Sequence, residues 1–310
     1  MNTLAPIKQT KLYGLDPYFD ELKRLYNNQC YPNKILFSGQ KGIGKSTLAF
    51  HFINYVLSLN EVHSYDDEKY NIDIESSEFK TIQNKSNKNL IIIDIDNDKT
   101  SININQIRDL ILNLNKSSFN TKPRFVLIDN IELLNTNSIN ALLKILEEPN
   151  KNIYFILIHN DKKILPTLLS RCINFKINLS NDSYLKIANQ LLDDNLNNLI
   201  SDDLINYYFT PGEIYYLVHF ANENNYDISN IDLKKFLKVL IQNNHYIKNN
   251  FINNLMHGLI EFYLRKLNTA SSKLIDEKYT YFIKRINETK IYNLDKESLY
   301  MEFNEKILNG

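Results

Sequence analysis

The 310 residues suffice for two or three domains with real cores, and the 43% hydrophobic and 23% charged fractions are ordinary for a soluble chain. Lys+Arg and Asp+Glu both number 36, which argues against a stand-alone nucleic-acid binder, since such a domain usually carries a basic excess. No apolar run approaches the roughly 18 residues of a membrane span, and the N-terminus MNTLAPIKQT has no apolar signal core. Cys30 and Cys172 form no metal-type pair, and the six histidines show no ligand spacing with Cys, Asp or Glu. A reducing cytoplasm is the expected setting, with no membrane and no zinc.

Taken in chain order, Ile35-Leu36-Phe37 reads as a short buried strand. It leads into Gly39-Gln40-Lys41-Gly42-Ile43-Gly44-Lys45-Ser46, which satisfies the phosphate-loop pattern G-x-x-x-x-G-K-[ST] in full. Three of only seven glycines in the chain fall in this segment. They let successive N–H groups turn toward one anion. Lys45 is placed to reach β/γ-phosphates, Ser46 to help hold Mg²⁺, and Thr47 to continue the cradle. Residues 46–59 read as a helix with its N-terminus toward the phosphates. Residues 61–88 are polar, charged and weakly periodic, and read as a loop or poorly ordered insertion.

Residues 89–96 (NLIIIDID) read as a second strand. Apolar residues at Ile104, Ile107, Leu110, Ile111 and Leu114 predict an amphipathic helix. Residues 124–128 (RFVLI) give a third strand ending at Asp129, residues 138–148 a helix stopped by Pro149, and residues 153–158 a fourth strand. A short helix over 165–169 and a last strand over 172–177 follow. This alternation predicts an α/β domain with a parallel sheet flanked by helices. Beyond about residue 178 the β-branched runs stop, and helices are expected near 182–193, 200–208, 212–224, 231–243, 247–268, 274–288 and 296–307. The polar stretch 222–230 reads as a hinge.

A phosphate loop needs a second Mg²⁺ anchor, an Asp at the end of an apolar strand. Asp129 is preferred over the competitor Asp94, although a cap or turn role also fits Asp129. Hydrolytic relatives of this site use a carboxylate to take a proton from the attacking water, often directly after that Asp. Here the position is Asn130, an amide, and Glu132 lies two residues on. The expectation is nucleotide binding with weak or absent turnover.

Three further segments carry a family resemblance. Asn140-Ala141-Leu142-Leu143-Lys144-Ile145-Leu146-Glu147-Glu148-Pro149 resembles the NALLKxLEEP helix of bacterial clamp-loader subunits. Ser170-Arg171-Cys172 resembles their SRC motif, and Ile102-Asn103-Ile104-Asn105-Gln106-Ile107-Arg108 resembles the segment before their second nucleotide strand. The likeness covers residues 10–178 strongly and 179–310 only in helical character and length. The chain is similar to the delta-prime branch of this AAA+ family rather than the tau/gamma branch, being short, without a long C-terminal tail, and without the Glu after Asp129. Many relatives carry a four-cysteine zinc module, whereas residues 51–120 contain no cysteine.

The resemblance implies an α/β P-loop (AAA+) domain over 1–178, a small helical lid over 179–228 and an all-α C-terminal collar over 229–310. It implies ATP and Mg²⁺ as ligands, with Gly39, Gln40, Lys41, Gly42, Ile43, Gly44, Lys45, Ser46 and Thr47 around the phosphates. Asn160 (or its neighbour His159) would be a sensor of the γ-phosphate. Arg171 would act in trans as an arginine finger on a neighbour's site, a role suited to a permanently charged, forked guanidinium. Implied partners are delta and tau/gamma subunits in a five-subunit ring that places a sliding clamp on primed DNA, with this chain holding the ring's geometry. Pro211-Gly212-Glu213 resembles the start of the lid helix, but Glu213 stands where relatives often carry an Arg, and a carboxylate repels phosphate. An active tau/gamma-like ATPase and a P-loop small-molecule kinase remain as alternatives. Lys99, Lys116 and Lys122 are basic residues that either approach a phosphate backbone or are solvated.

Overall fold

The computed structural model describes residues 4–95, 99, 101–116, 120–148, 152–160, 165–207, 209–268, 273–292 and 294–309. These fall into two compact units, Met1–Leu191 with Thr210–Gly212, and Leu192–Phe209 with Glu213–Gly310.

The first unit is built on five parallel strands: β1 (Lys34–Ser38), β2 (Leu90–Ile93), β3 (Arg124–Ile128), β4 (Ile153–His159) and β5 (Ile173–Lys176), in the order β2-β3-β4-β1-β5. Parallel sheets are covered on both faces, so their strands are near-continuous apolar runs. KILFS, LIII, RFVLI and IYFILIH are such runs. Alternate side chains serve opposite cores. Ile35, Phe37, Phe125, Leu127, Ile156 and Ile158 enter one core with Phe19, Leu22 and Phe52. Leu36, Val126, Ile128, Phe155 and Leu157 enter the other with Leu142, Leu146 and Cys172. The edge strand β5 (INFK) is largely exposed, with Ile173 61% exposed.

Among the described residues the sheet is accompanied by the α-helices α1 (Asp16–Asn27), α2 (Lys45–Ser58), α3 (Ser77–Gln83), α4 (Ile104–Leu114), α5 (Thr136–Glu147), α6 (Pro166–Leu169) and α7 (Asn181–Leu192). Helix α2 is buried almost all round, as expected of a helix apolar on every face. Helix α4 begins in a capping box of Asn103 and Gln106. The second strand stops at Ile93, short of the expected 96, because Asp94 leaves the ladder to bond other groups; Asp96 and Pro149 lie outside the described residues.

Residues 61–88 differ from the expected loop. Ser76 caps α3, Asp66 and Asn71 exchange backbone hydrogen bonds, and the buried Tyr65 stacks on Phe19 at 4.9 Å. Lys122 ties the segment down from outside. Its ammonium donates to Leu57 O (2.8 Å), Glu61 Oε1 (2.7 Å) and Glu78 Oε1 (2.7 Å). The Lys122 ammonium is therefore bonded within its own chain, with 30% of the side chain exposed.

His51, within α2, is fully buried with Nδ1 2.9 Å from the Tyr65 hydroxyl. Burial pulls its pKa down to about 3, so below the ordinary pKa of about 6.5 the unfolded chain binds the proton more readily and stability falls with pH. Relative to His51→Gln, the native chain is expected to lose about 2 kcal/mol more between pH 7 and pH 5, from about 1.36 kcal/mol per pH unit below 6.5. Urea unfolding at the two pH values checks this; parallel losses in both proteins would refute it.

The second unit is helical: α8 (Leu196–Leu199), α9 (Asp202–Ile205), α10 (Pro211–Glu223, its first two residues grouped with the sheet unit), α11 (Leu233–Gln242), α12 (His245–Lys248), α13 (Asn250–Asn268), α14 (Lys273–Tyr292) and α15 (Lys296–Phe303). The helix expected over 247–268 is divided at Asn249, whose side chain accepts from the N–H groups of Phe251 and Ile252 and so starts α13. Phe236, Phe282, Tyr300 and Phe303 are among its fully buried side chains. No helix among the described residues is long and apolar enough to cross a membrane.

Candidate nucleotide site

Strand β1 ends at Ser38 and α2 begins at Lys45, so the loop between them fills the carboxyl end of the strand. Gly39, Gly42 and Gly44 have φ of +151°, +85° and +93°, conformations that side-chain-bearing residues avoid. At Gly39 a Cβ would lie 2.3 Å from the Ile177 carbonyl oxygen, so only glycine fits where the loop leaves the sheet. Gly44 is the N-cap of α2 and brings no side-chain cap, the arrangement that lets a helix N-terminus meet an anion. Lys41 and Gln40 are exposed, Ile43 is buried, and Thr47 sits half-buried in the first turn of α2.

Lys45 is only 3% exposed. Its ammonium folds back over the loop and donates to Gly39 O at 2.6 Å and to Gln40 O. The Ser46 hydroxyl donates to Asp129 Oδ2, so Asp129, not Asp94, faces the loop serine. Asp129 stands just past β3, its N–H donating to Ile93 O at 2.9 Å. Burial pushes its pKa up to about 6, aided by the charge of Asp94 and opposed by the Ser46 hydroxyl, the Asn130 N–H and Lys45. A hydroxyl and a partly desolvated carboxylate in contact form a hard oxygen pair that suits Mg²⁺. The donor set thus fits the cation of a nucleotide.

Asn130 adopts a left-handed backbone, φ +54° and ψ +48°. Its amide donates to Asp94 Oδ1 at 2.9 Å and accepts from Asn160 Nδ2 at 2.9 Å. Asn160 also donates to Glu132, from Nδ2 at 3.1 Å and from its backbone N–H at 3.4 Å. The ends of β2, β3 and β4 are therefore laced by Asp94, Asn130, Glu132 and Asn160. Asn130 is committed to other amides and carboxylates, and an amide cannot accept a proton from water. His159, the last residue of β4, is buried beside Ser38 in the register.

Arg171 follows α6. Its Nε and Nη2 donate to Glu147 Oε1, and its Nη1 donates to Thr167 O (2.9 Å) and Ser170 Oγ (3.2 Å). Its side chain is 29% exposed and that of Glu147 56%. The two family-like segments, 140–149 and 170–172, thus meet through this ion pair. Burial raises the Cys172 thiol to about 11, which keeps it protonated and inert. Two contacts escaped the sequence reading: the Tyr184 hydroxyl donates to Gln40 Oε1 at 2.6 Å, and the Gly212 N–H donates to Gly42 O at 3.0 Å. Among the described residues no three His, Cys, Asp or Glu side chains gather to hold a metal ion.

The family model for "DNA polymerase III, delta subunit" matches residues 15–181. The chain is 32% identical over 146 residues to DNA polymerase III subunit gamma of Buchnera aphidicola subsp. Schizaphis graminum, covering 46% of this chain and 38% of that one. It is 34% identical over 143 residues to subunit tau/gamma of Haemophilus influenzae, covering 46% and 20%. With subunit delta' of the same Buchnera it shares 28% identity over 195 residues, covering 60% and 56%. The chain therefore spans a fifth to somewhat over half of the length of these relatives.

Proposed function

Because the chain belongs to the DNA polymerase III delta subunit family, we propose that it is a clamp-loader subunit of the delta-prime kind, cytoplasmic, which binds ATP and turns it over slowly or not at all. The observation that carries this is a folded phosphate loop with Ser46 on Asp129, followed by an amide at Asn130 that is held by Asp94 and Asn160.

Bound ATP with Mg²⁺ would supply the phosphates that drive the assembly's conformational cycle. Gly39 to Thr47 would wrap them with backbone N–H groups, Lys45 would neutralise them, and Ser46 with Asp129 would hold the cation. Asn160 would orient groups at the far phosphate, and Arg171 would reach a neighbouring subunit's nucleotide. Three parts are proposed: 1–178 for nucleotide, 179–228 as a lid and 229–310 as a collar. The proposed partners are delta and tau/gamma subunits in a five-subunit ring that loads a sliding clamp onto primed DNA.

Mixing the chain with delta and tau/gamma subunits of the same organism, followed by size-exclusion with light scattering, is expected to give a stable heteromeric ring. The chain alone is expected to bind ATP with single-turnover hydrolysis below about 1 s⁻¹, the lower end of ordinary enzyme rates. A chain that stayed apart from both subunits, or that hydrolysed ATP faster than this alone, would overturn the reading.

A further inference from the structure

The phosphate loop is gripped from outside by residues far along the chain. Tyr184 lies in the first turns of α7, its ring buried to 9% exposure within the core that underlies the sheet. That burial fixes the position of its hydroxyl, which donates at 2.6 Å to Oε1 of Gln40, a residue 144 positions earlier and itself exposed. Nothing in a solvent-exposed glutamine would otherwise hold one rotamer. The second grip is backbone to backbone. The Gly212 N–H donates to Gly42 O at 3.0 Å, and a Cβ on Gly212 would stand 3.0 Å from that oxygen and 3.2 Å from Gly42 Cα. The loop is thus pinned at its first and third variable positions, while Lys45 binds it from within.

We propose that Tyr184 is a positioning residue for the nucleotide: through Gln40 it holds the loop open in its anion-receiving form, and Gly212 completes the hold at Gly42. When the Lys45 ammonium turns toward a phosphate, Gln40 loses a donor at its carbonyl and Tyr184 keeps that residue in place. The inference rests on the nucleotide-binding reading above.

The test uses the full chain and the variant Tyr184→Phe, which removes only the hydroxyl, beside Gln40→Ala and the double variant. Amide hydrogen exchange across residues 39–46 is expected to quicken in Tyr184→Phe with an unchanged melting temperature. ATP affinity by calorimetry is expected to fall about 5-fold, the worth of one neutral hydrogen bond. Gln40→Ala should show the same loss and the double variant no more, since both single changes break one contact. Unchanged exchange, or losses that add in the double variant, would overturn the proposal. Wild-type chain that fails to bind millimolar ATP would sink the nucleotide reading instead, and the exchange measurement would still decide whether the latch exists.

Discussion

In the proposed ring, Arg171→Ala is expected to lower ATP turnover at the one neighbouring site it reaches by about 10³-fold or more, the range found for arginine fingers in phosphoryl transfer. The size follows from chemistry. A guanidinium keeps its charge and presents parallel N–H donors that match two phosphate oxygens, so Arg171→Lys should recover little. Stability should hardly change, because the pair with Glu147 is more than half exposed on the carboxylate side, and such pairs contribute about 0–1 kcal/mol. Nor should the isolated chain lose ATP affinity, since Arg171 is bonded to Glu147, Thr167 and Ser170 within its own subunit. Steady-state turnover of the ring, with ATP calorimetry on the isolated chain as control, checks both halves. Full turnover by the variant ring would remove Arg171 from the mechanism.

Lys45→Ala is expected to weaken ATP binding by about 100-fold or more, since two charge-assisted hydrogen bonds of about 1.5–3 kcal/mol are lost. It should also destabilise the chain by about 1–3 kcal/mol, because the carbonyls of Gly39 and Gln40 lose the ammonium that now satisfies them. The two effects separate by method: calorimetry reads the first and urea unfolding the second. Lys45→Met keeps the buried stem and should recover part of the stability but none of the binding. Undiminished ATP affinity in either variant would mean that the phosphates sit elsewhere.

What the sequence disclosed was whatever a local pattern encodes. Strands β1, β3 and β4 were legible to within a residue or two because burial on both faces demands unbroken apolar runs, and α4 was legible to the residue because its period and its capping box agree. The loop glycines, Lys45 and Ser46 stand in a contiguous motif and were visible for the same reason. Contacts between distant residues leave no such trace. Residues 61–88 look disordered by composition, yet Lys122, Tyr65 and Ser76 fasten them from three sides. Tyr184 reads as one more apolar position on a helix, and only the folded chain shows its hydroxyl on Gln40. Asp94 and Asp129 end equally apolar strands, and the neighbour of Ser46 could be settled only in three dimensions.

Strand β1 lies between β4 and β5, with Leu36 opposite Leu157 on one side and Asn174 on the other. Both neighbours are made long after it. During synthesis at about 5–20 residues per second, the strand that bears the phosphate loop waits on the order of ten seconds without a partner on either edge. Through that interval the nascent chain holds the complete binding motif and no binding site, since the Ile177 carbonyl against which Gly39 packs has not yet emerged. Until β4 and β5 are made, the apolar Ile35-Leu36-Phe37 run therefore has both edges unpaired, the kind of exposed strand edge that invites aggregation.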